Sequence, residues 1–259
     1  MSESIGADEY EKAVIRAFFL HTTLPIISRV KGVSCIIATG TLFKIAGRHF
    51  LVTAAHIAAI CPPSGWSYSL HPRQGGIYPI GRCEFFTAHK SELDVAVVEL
   101  KQPETIGRLE KNWRFLTLGN VWLPDRSADA VLLVGSPSEK IIGLKDNLHG
   151  GVCIVRQQYR ADTPQYAGTS EPLTNGVDFF LTSQDALNEF TGEKVSAIDI
   201  RAMSGCSVWA YRKRGWTENR FWSPEVSLRL VGIQSASCES QYLRAKSWGA
   251  VLQTLASRG

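Results

Sequence analysis

The chain has 259 residues, of which 44% are hydrophobic, enough apolar material for a sizeable core. Its formal net charge of +4 is too mild for a nucleic-acid-binding signature, and no window approaches the roughly 20 apolar residues of a membrane-spanning helix. Met1 to Glu11 is polar and acidic, without the basic start and apolar centre of an export signal, so a cytoplasmic protein is expected.

In chain order, Ala7 to Leu20 has helical spacing: Val14, Ile15, Phe18 and Phe19 share a face, and Asp8 and Glu9 occupy the first turn, where negative charge favours a helix. That face is expected to pack on the body of the protein. Pro25 is expected to end the helix, with Ile26 to Val30 entering a first strand. Short strand-like runs follow at Val33 to Thr41, Phe50 to Thr53, Tyr78 to Ile80, Arg82 to Thr87 and Val95 to Glu99, with Gly65, Pro72, Gly75 and Gly76 breaking up a loop among them. Lys101 to Trp113 is charged and is expected to cross between two halves. A second set of runs covers Ala130 to Gly135, Val152 to Gln157, Phe179 to Leu181, Cys206 to Tyr211 and Leu228 to Gln234. Arg212-Lys213-Arg214, between two apolar runs, is expected at an exposed hairpin tip. Tyr242 to Ser257 has helical spacing through Leu243, Trp248, Val251, Leu252 and Leu255. Short, regularly punctuated strands of this kind point to an all-β barrel or sandwich.

Cysteines stand at positions 35, 61, 83, 153, 206 and 238 with no Cys-x-x-Cys pair, so metal ligation has no support. Mostly unpaired, buried thiols are expected.

Three distant segments carry the chemistry: Thr53-Ala54-Ala55-His56, Asp94-Val95-Ala96-Val97-Val98 and Met203-Ser204-Gly205. A serine hydroxyl is a poor nucleophile unless a neighbouring imidazole takes its proton as it attacks. The imidazole in turn needs a carboxylate on its other nitrogen to hold the correct tautomer. His56 follows a β-rich run and small residues, which places it in a turn past a strand end; Asp94 opens an apolar strand; Ser204 is followed by a glycine. These residues are assigned as base, orienting carboxylate and nucleophile, and the order His, Asp, Ser separates this arrangement from other folds that use the same chemistry. Cys206, close by, is the alternative nucleophile.

With these motifs in place, the chain from about Val33 to Leu252 resembles the chymotrypsin-like (trypsin-like) serine peptidases, above all bacterial intracellular members. Gly40-Thr41-Leu42-Phe43 with His49-Phe50-Leu51-Val52-Thr53-Ala54-Ala55-His56 is similar to the strand pair that delivers the family's histidine, and Leu230-Val231-Gly232-Ile233-Gln234-Ser235 to a strand lining its substrate cleft. The resemblance implies an all-β protein of two six-stranded antiparallel β-barrels with an N-terminal and a C-terminal helix. It implies a lead-in over 1–30, a first barrel with His and Asp over 31–112, and a second barrel with Ser over 113–259. It further implies an oxyanion hole from the amides of Ala202 and Ser204, and a Ser235 that supports the aspartate and offers its carbonyl to substrate. The substrate pocket would lie between Val195 to Asp199 and Gln234 to Ser237. Ile198 near its base favours an uncharged substrate side chain, with Asp199, Gln234, Ser235 and Ala236 also lining it.

Two departures matter. Ala202 stands where the family usually has glycine, and alanine tolerates positive φ poorly, so the oxyanion hole is expected to be misaligned at rest. Met203 replaces the aspartate that pairs with a newly cut N-terminus in zymogen-activated members, so that switch is not expected. The function expected is a serine endopeptidase on protein or peptide substrates, without metal or organic cofactor, nucleic acid or membrane. An activating partner protein, in a bacterial defence against phage, would supply the switch. The alternative is a catalytically idle protease-like fold that binds or senses peptides.

Overall fold

The computed structural model describes residues 3–30, 32–71, 75–87, 93–124, 128, 130–136, 142–144, 147–149, 152–160, 173–182, 187–189, 194, 203–212, 222–238 and 242–256. Helix α1 (Glu3–Thr22) leads into β1 (Thr23–Val30), β2 (Val33–Ile45) and β3 (Arg48–Ala54). Then come α2 (His56–Ile60), β4 (Ser67–Ser69), β5 (Ile77–Pro79), β6 (Cys83–Thr87) and β7 (Val95–Leu100). Helix α3 (Pro103–Asn112) crosses to the second half, which holds β8 (Ala130–Gly135), β9 (Ile142–Leu144), β10 (Asn147–His149), β11 (Cys153–Gln157), β12 (Asp178–Thr182) and β13 (Leu187–Asn188). The chain continues through β14 (Ser207–Tyr211), α4 (Pro224–Ser227), β15 (Leu228–Cys238), β16 (Tyr242–Ser247) and α5 (Trp248–Ala256).

The strands form two curled antiparallel sheets, with N- and C-terminal helices, as the resemblance implied. The first has the order β5-β4-β1-β2-β3-β7-β6 and the second β12-β16-β15-β14-β8-β11-β13, seven strands in each once short edge strands such as the two-residue β13 are included. A separate hairpin joins β9 and β10.

Pro25 and Tyr242 to Ser247 differ from expectation, and the expected charged crossing takes a helical form. Pro25 does not end the helix; it lies inside β1, opposite Thr39 of β2. The other edge of β1 meets β4 only at Ile27, so the N–H that proline lacks is not asked for there. The charged crossing is the helix α3, with Pro103 in its first turn, Glu104 near its N-terminus and Lys111 in its last turn, each placed where the helix dipole favours it. Finally, the helical spacing from Tyr242 starts six residues too early. Tyr242 to Ser247 is β16, in which Arg244 and Lys246, two residues apart, point the same way. Both reach the buried carboxylate of Asp178 on β12, with contacts of 2.7 and 2.9 Å.

Alternation along the strands divides the apolar residues into cores. Val98 and Leu100 of β7 face the interior of the first lobe with Leu24, Leu51 and Trp66. Val131 and Leu133 of β8 face the interior of the second with Val208 and Val231. The alternate residues of the same strands, Val95 and Val97 with Leu132 and Val134, join Phe43, Trp209 and Trp248 in a core shared between the lobes. Helix α1 caps it: Phe18 and Phe19 pack edge-on against Trp209 with ring centroids at 5.7 and 5.3 Å, and Tyr211 donates a hydrogen bond to Glu11. The expected packing of this helix on the body is what the structure shows, and each buried phenylalanine contributes on the order of 1.5–3 kcal/mol. No helix among the described residues is long and apolar enough to cross a membrane.

Cys35, Cys61, Cys83, Cys153 and Cys206 form no disulfide; only Cys153 and Cys206 are buried and the others are half-buried. Cys238 has no described side chain, and of the basic tip only Arg212 is described.

Glu99, the charged interruption in β7, is buried and accepts hydrogen bonds from Arg48 and an ion pair from Lys101 at 2.7 Å. The Arg48 hydrogen bond, with help from Lys101, holds its carboxyl below the usual carboxylate range. A depressed acid stabilises the fold above its unfolded-state pKa, and that contribution fades as pH falls through the folded value. Glu99→Gln is therefore expected to lower unfolding free energy at neutral pH by about 1.5–3 kcal/mol. Denaturant titrations across pH should show the variant and wild type converging in acid.

Candidate active site

Strand register brings His56 and Asp94 together. β3 pairs antiparallel with β7, with Ala54 opposite Val95. The residue before Val95 and the residues after Ala54 are thus side by side, and the Ala55 N–H donates to the Asp94 carbonyl at 3.2 Å. The chain then turns into α2, which begins with His56 itself. Asp94 has φ of 42°, in the left-handed region that aspartate accepts more readily than branched residues. This twist aims the carboxylate back at the turn. Its Oδ1 accepts the His56 backbone N–H at 2.8 Å, and its Oδ1 and Oδ2 lie 3.1 and 2.9 Å from Nδ1 of the imidazole. With a carboxylate as acceptor, Nδ1 carries the hydrogen, and Nε2 of the neutral ring is left with a lone pair. Asp94 is buried, its side chain 4% exposed, while that of His56 is 37% exposed, so the carboxylate is shielded and the imidazole is reachable.

The serine lies in a tight turn on the second lobe. The Cys206 N–H donates to the Met203 carbonyl at 2.9 Å, and Gly205, at φ +77°, occupies the third position, which demands positive φ in a type II turn. Two strands clamp this turn. On one side the Gly205 N–H donates to the Gln234 carbonyl at 3.2 Å, and the Gln234 N–H to the Cys206 carbonyl at 2.9 Å. On the other side, across the lobes, the Thr39 N–H donates to the Ser204 carbonyl at 2.9 Å. Gly205 touches the first lobe so closely that a Cβ there would lie 2.2 Å from Thr53 Oγ1, 2.5 Å from the Thr39 carbonyl oxygen and 2.9 Å from the Ala54 nitrogen. The turn that carries Ser204 is therefore seated on the strand that delivers His56.

Two threonines that sequence reasoning passed over make this seam. Thr39 donates its N–H to the Ser204 carbonyl, accepts the Ser136 N–H at Oγ1 at 2.9 Å, and accepts the Thr53 hydroxyl at its carbonyl at 2.7 Å. Both are fully buried. The sequence signal was a hydroxyl residue within an apolar-rich run, and Thr41 on the same strand as Thr39 carries the same signal without that role.

Gln234, Ser235 and Ala236 lie on β15 beside the serine turn, at a bulge in the pairing with β16. The Ser235 hydroxyl donates to the Arg244 carbonyl at 3.4 Å rather than to Asp94, because the bulge turns it toward β16. Ala202, Ile198 and Asp199 lie outside the described residues, as does Val195. Met203 is fully buried in the core of the second lobe. Cys206 is fully buried, and that burial pushes its thiol well above the ordinary range, which leaves no thiolate for nucleophilic attack.

Two solved structures share this architecture. The scabies mite inactivated protease paralogue S-I1 matches with a TM-score of 0.55 at 13% identity, over 95% of this chain and 97% of that one. The inactive form of the Rv3671c protease of M. tuberculosis matches with a TM-score of 0.50 at 16% identity, over 96% and 95% of the two chains. The fold is that of the chymotrypsin-like serine proteases. No family model matches the chain. No curated protein matches it by sequence.

Gly205→Ala must both strain φ and push the serine turn off β3. A displacement of about 1 Å costs on the order of 10²-fold in rate. Under a serine-nucleophile reading of Ser204, the variant's labelling by a fluorophosphonate should slow by at least that factor relative to wild type, measured on protein whose circular dichroism is unchanged.

Proposed function

We propose that this protein is a serine endopeptidase with Ser204 as nucleophile, His56 as general base and acid, and Asp94 as orienting carboxylate. The observation that carries this reading is the buried Asp94 carboxylate holding the His56 Nδ1–H, beside a strand on which the Ser204 turn is seated. Ser204 Oγ attacks the peptide carbonyl carbon while its proton passes to Nε2 of His56, and Asp94 stabilises the resulting imidazolium. The oxyanion so formed takes hydrogen bonds from the amides of Ser204 and Ala202. Collapse breaks the carbon–nitrogen bond, and His56 returns the proton to the leaving amine. Water, deprotonated by His56, then cleaves the acyl-enzyme and regenerates the serine. An extended substrate would lie along Ser235 and Ala236, bonded by main chain to β15 just past the point where Gln234 holds the serine turn.

A second reading is a protease-like fold that binds peptides without turnover. Ala202 supports it, and the scabies mite protein of the same fold is itself an inactivated paralogue. Under this reading, or in an enzyme that waits for an activating partner protein, the triad is present and the oxyanion hole is idle.

One experiment separates the readings. A fluorophosphonate probe is expected to label wild-type protein and not Ser204→Ala, and Asp94→Asn is expected to lower turnover of a peptide substrate by about 10⁴-fold, because the imidazole then takes the wrong tautomer. Absence of labelling in wild type would leave the binding reading standing. Equal labelling of Ser204→Ala would remove Ser204 as nucleophile.

A further inference from the structure

Apart from the triad segments, a cavity of about 480 Å³ lies where α1, α3, the segment after β4 and α4 meet. Small-molecule sites commonly enclose about 300–1,000 Å³. The lining has two characters. Its floor is apolar, with Phe18, Trp113 and Pro224 buried. Its rim is basic: Lys111 and Arg114 are exposed, and His21 and His71 are half-buried beside them.

The charges do not cancel within the lining. Glu225 is its one carboxylate, and Arg114 already pairs with it across the lobes. Lys111 has no ion-pair partner among the described residues. A lysine in the last turn of a helix needs no ligand to explain it. Here, however, two imidazoles with ring centroids 6.1 Å apart share the same space. His21 donates from Nδ1 to the Asn112 carbonyl at 3.1 Å, which fixes its ring against the end of α3. A basic rim over an aromatic floor suits a ligand with an anionic end and a hydrocarbon body; a bare inorganic anion would leave the floor unused.

We propose that this cavity binds a small carboxylic acid with an apolar body. The carboxylate sits at Lys111, beside an Arg114 held by Glu225, and the body lies on Phe18, Trp113 and Pro224. The occupant would touch α1, the first lobe through His71 and Trp113, and the second lobe through Pro224, so it would tie together three parts of the chain. The proposal concerns a site separate from the triad residues and holds whether or not the protein turns over peptides.

Isothermal titration of the full chain with 3-phenylpropionate tests it directly. The controls are 3-phenylpropanamide, which keeps the body and loses the charge, and inorganic phosphate, which keeps a charge and loses the body. Saturable binding of the acid is expected, about tenfold or more tighter than either control, a difference typical of one charge-assisted contact. Lys111→Met, at an exposed position, should fold normally and weaken the acid by a similar factor while leaving the amide unchanged. Binding of the amide or of phosphate as tight as the acid would overturn the proposal. So would an unaltered affinity in Lys111→Met, or no saturable binding of the acid to wild type. None of these readouts involves Ser204, so the outcome stands apart from any failure of the peptidase reading.

Discussion

The seating of Gly205 on β3 is the constraint on which the site depends. A glycine with no room for even one carbon lies against Thr53, Thr39 and Ala54, and it follows Ser204 directly. Because protein interiors are close-packed, this contact fixes the distance between two lobes beside Ser204 and the strand that leads to His56. The register of β3 with β7 does the same for the other pair. Once Ala54 faces Val95, Asp94 has little choice but to lie beside Ala55 and His56. One contact seats the Ser204 turn on the strand that leads to His56, and one register sets His56 beside Asp94. Neither relies on a long flexible side chain, so little ordering entropy opposes the arrangement.

The shared core explains why these two constraints hold together. Alternate residues of β7 and β8 face inward to separate lobe interiors, while the others meet between the lobes with Phe43, Trp209 and Trp248. Sliding one lobe on the other would open voids in that core, each costing transfer and cavity terms of about 2–5 kcal/mol for a large side chain. The polar seam at Thr39 is thus backed by apolar packing. Its hydrogen bonds select the register of the interface more than they supply its strength, since each is worth only about 0.5–1.5 kcal/mol net.

Much of this was legible in the sequence because it rests on local pattern. The strands around His56 and Asp94 have short apolar runs bounded by turn residues, and β8 falls where its six apolar-rich residues predict. The triad segments stand out because each joins a reactive side chain to a strand end or a glycine. What was not legible depends on partners far away in sequence. Leu243 fits a helix stripe or a strand face equally well until Arg244 and Lys246, which share no helix face, are seen to meet at Asp178, sixty-six residues before Arg244. Pro25 is tolerated in β1 only because β4 is too short to need its N–H. Thr39 and Thr53 gain their meaning from Ser136 and Gly205, and the Ser235 hydroxyl loses its expected role to a bulge that no periodicity announces.

The N-terminal helix belongs to the same structural argument and is not an appended arm. Phe18 and Phe19 pack on Trp209, whose indole N–H donates to Ser207 Oγ at 2.7 Å. Ser207 in turn donates to the Val134 carbonyl at 3.4 Å, and it stands only three residues after Ser204 on the strand that leaves the serine turn. A buried indole needs a partner for its N–H, and here the partner lies at the root of the turn. The helix therefore covers the aromatic residue that anchors β14 directly behind Ser204. Removing it would expose Trp209 and the shared core to water, and the cost would fall on the strand that must hold Ser204 in place.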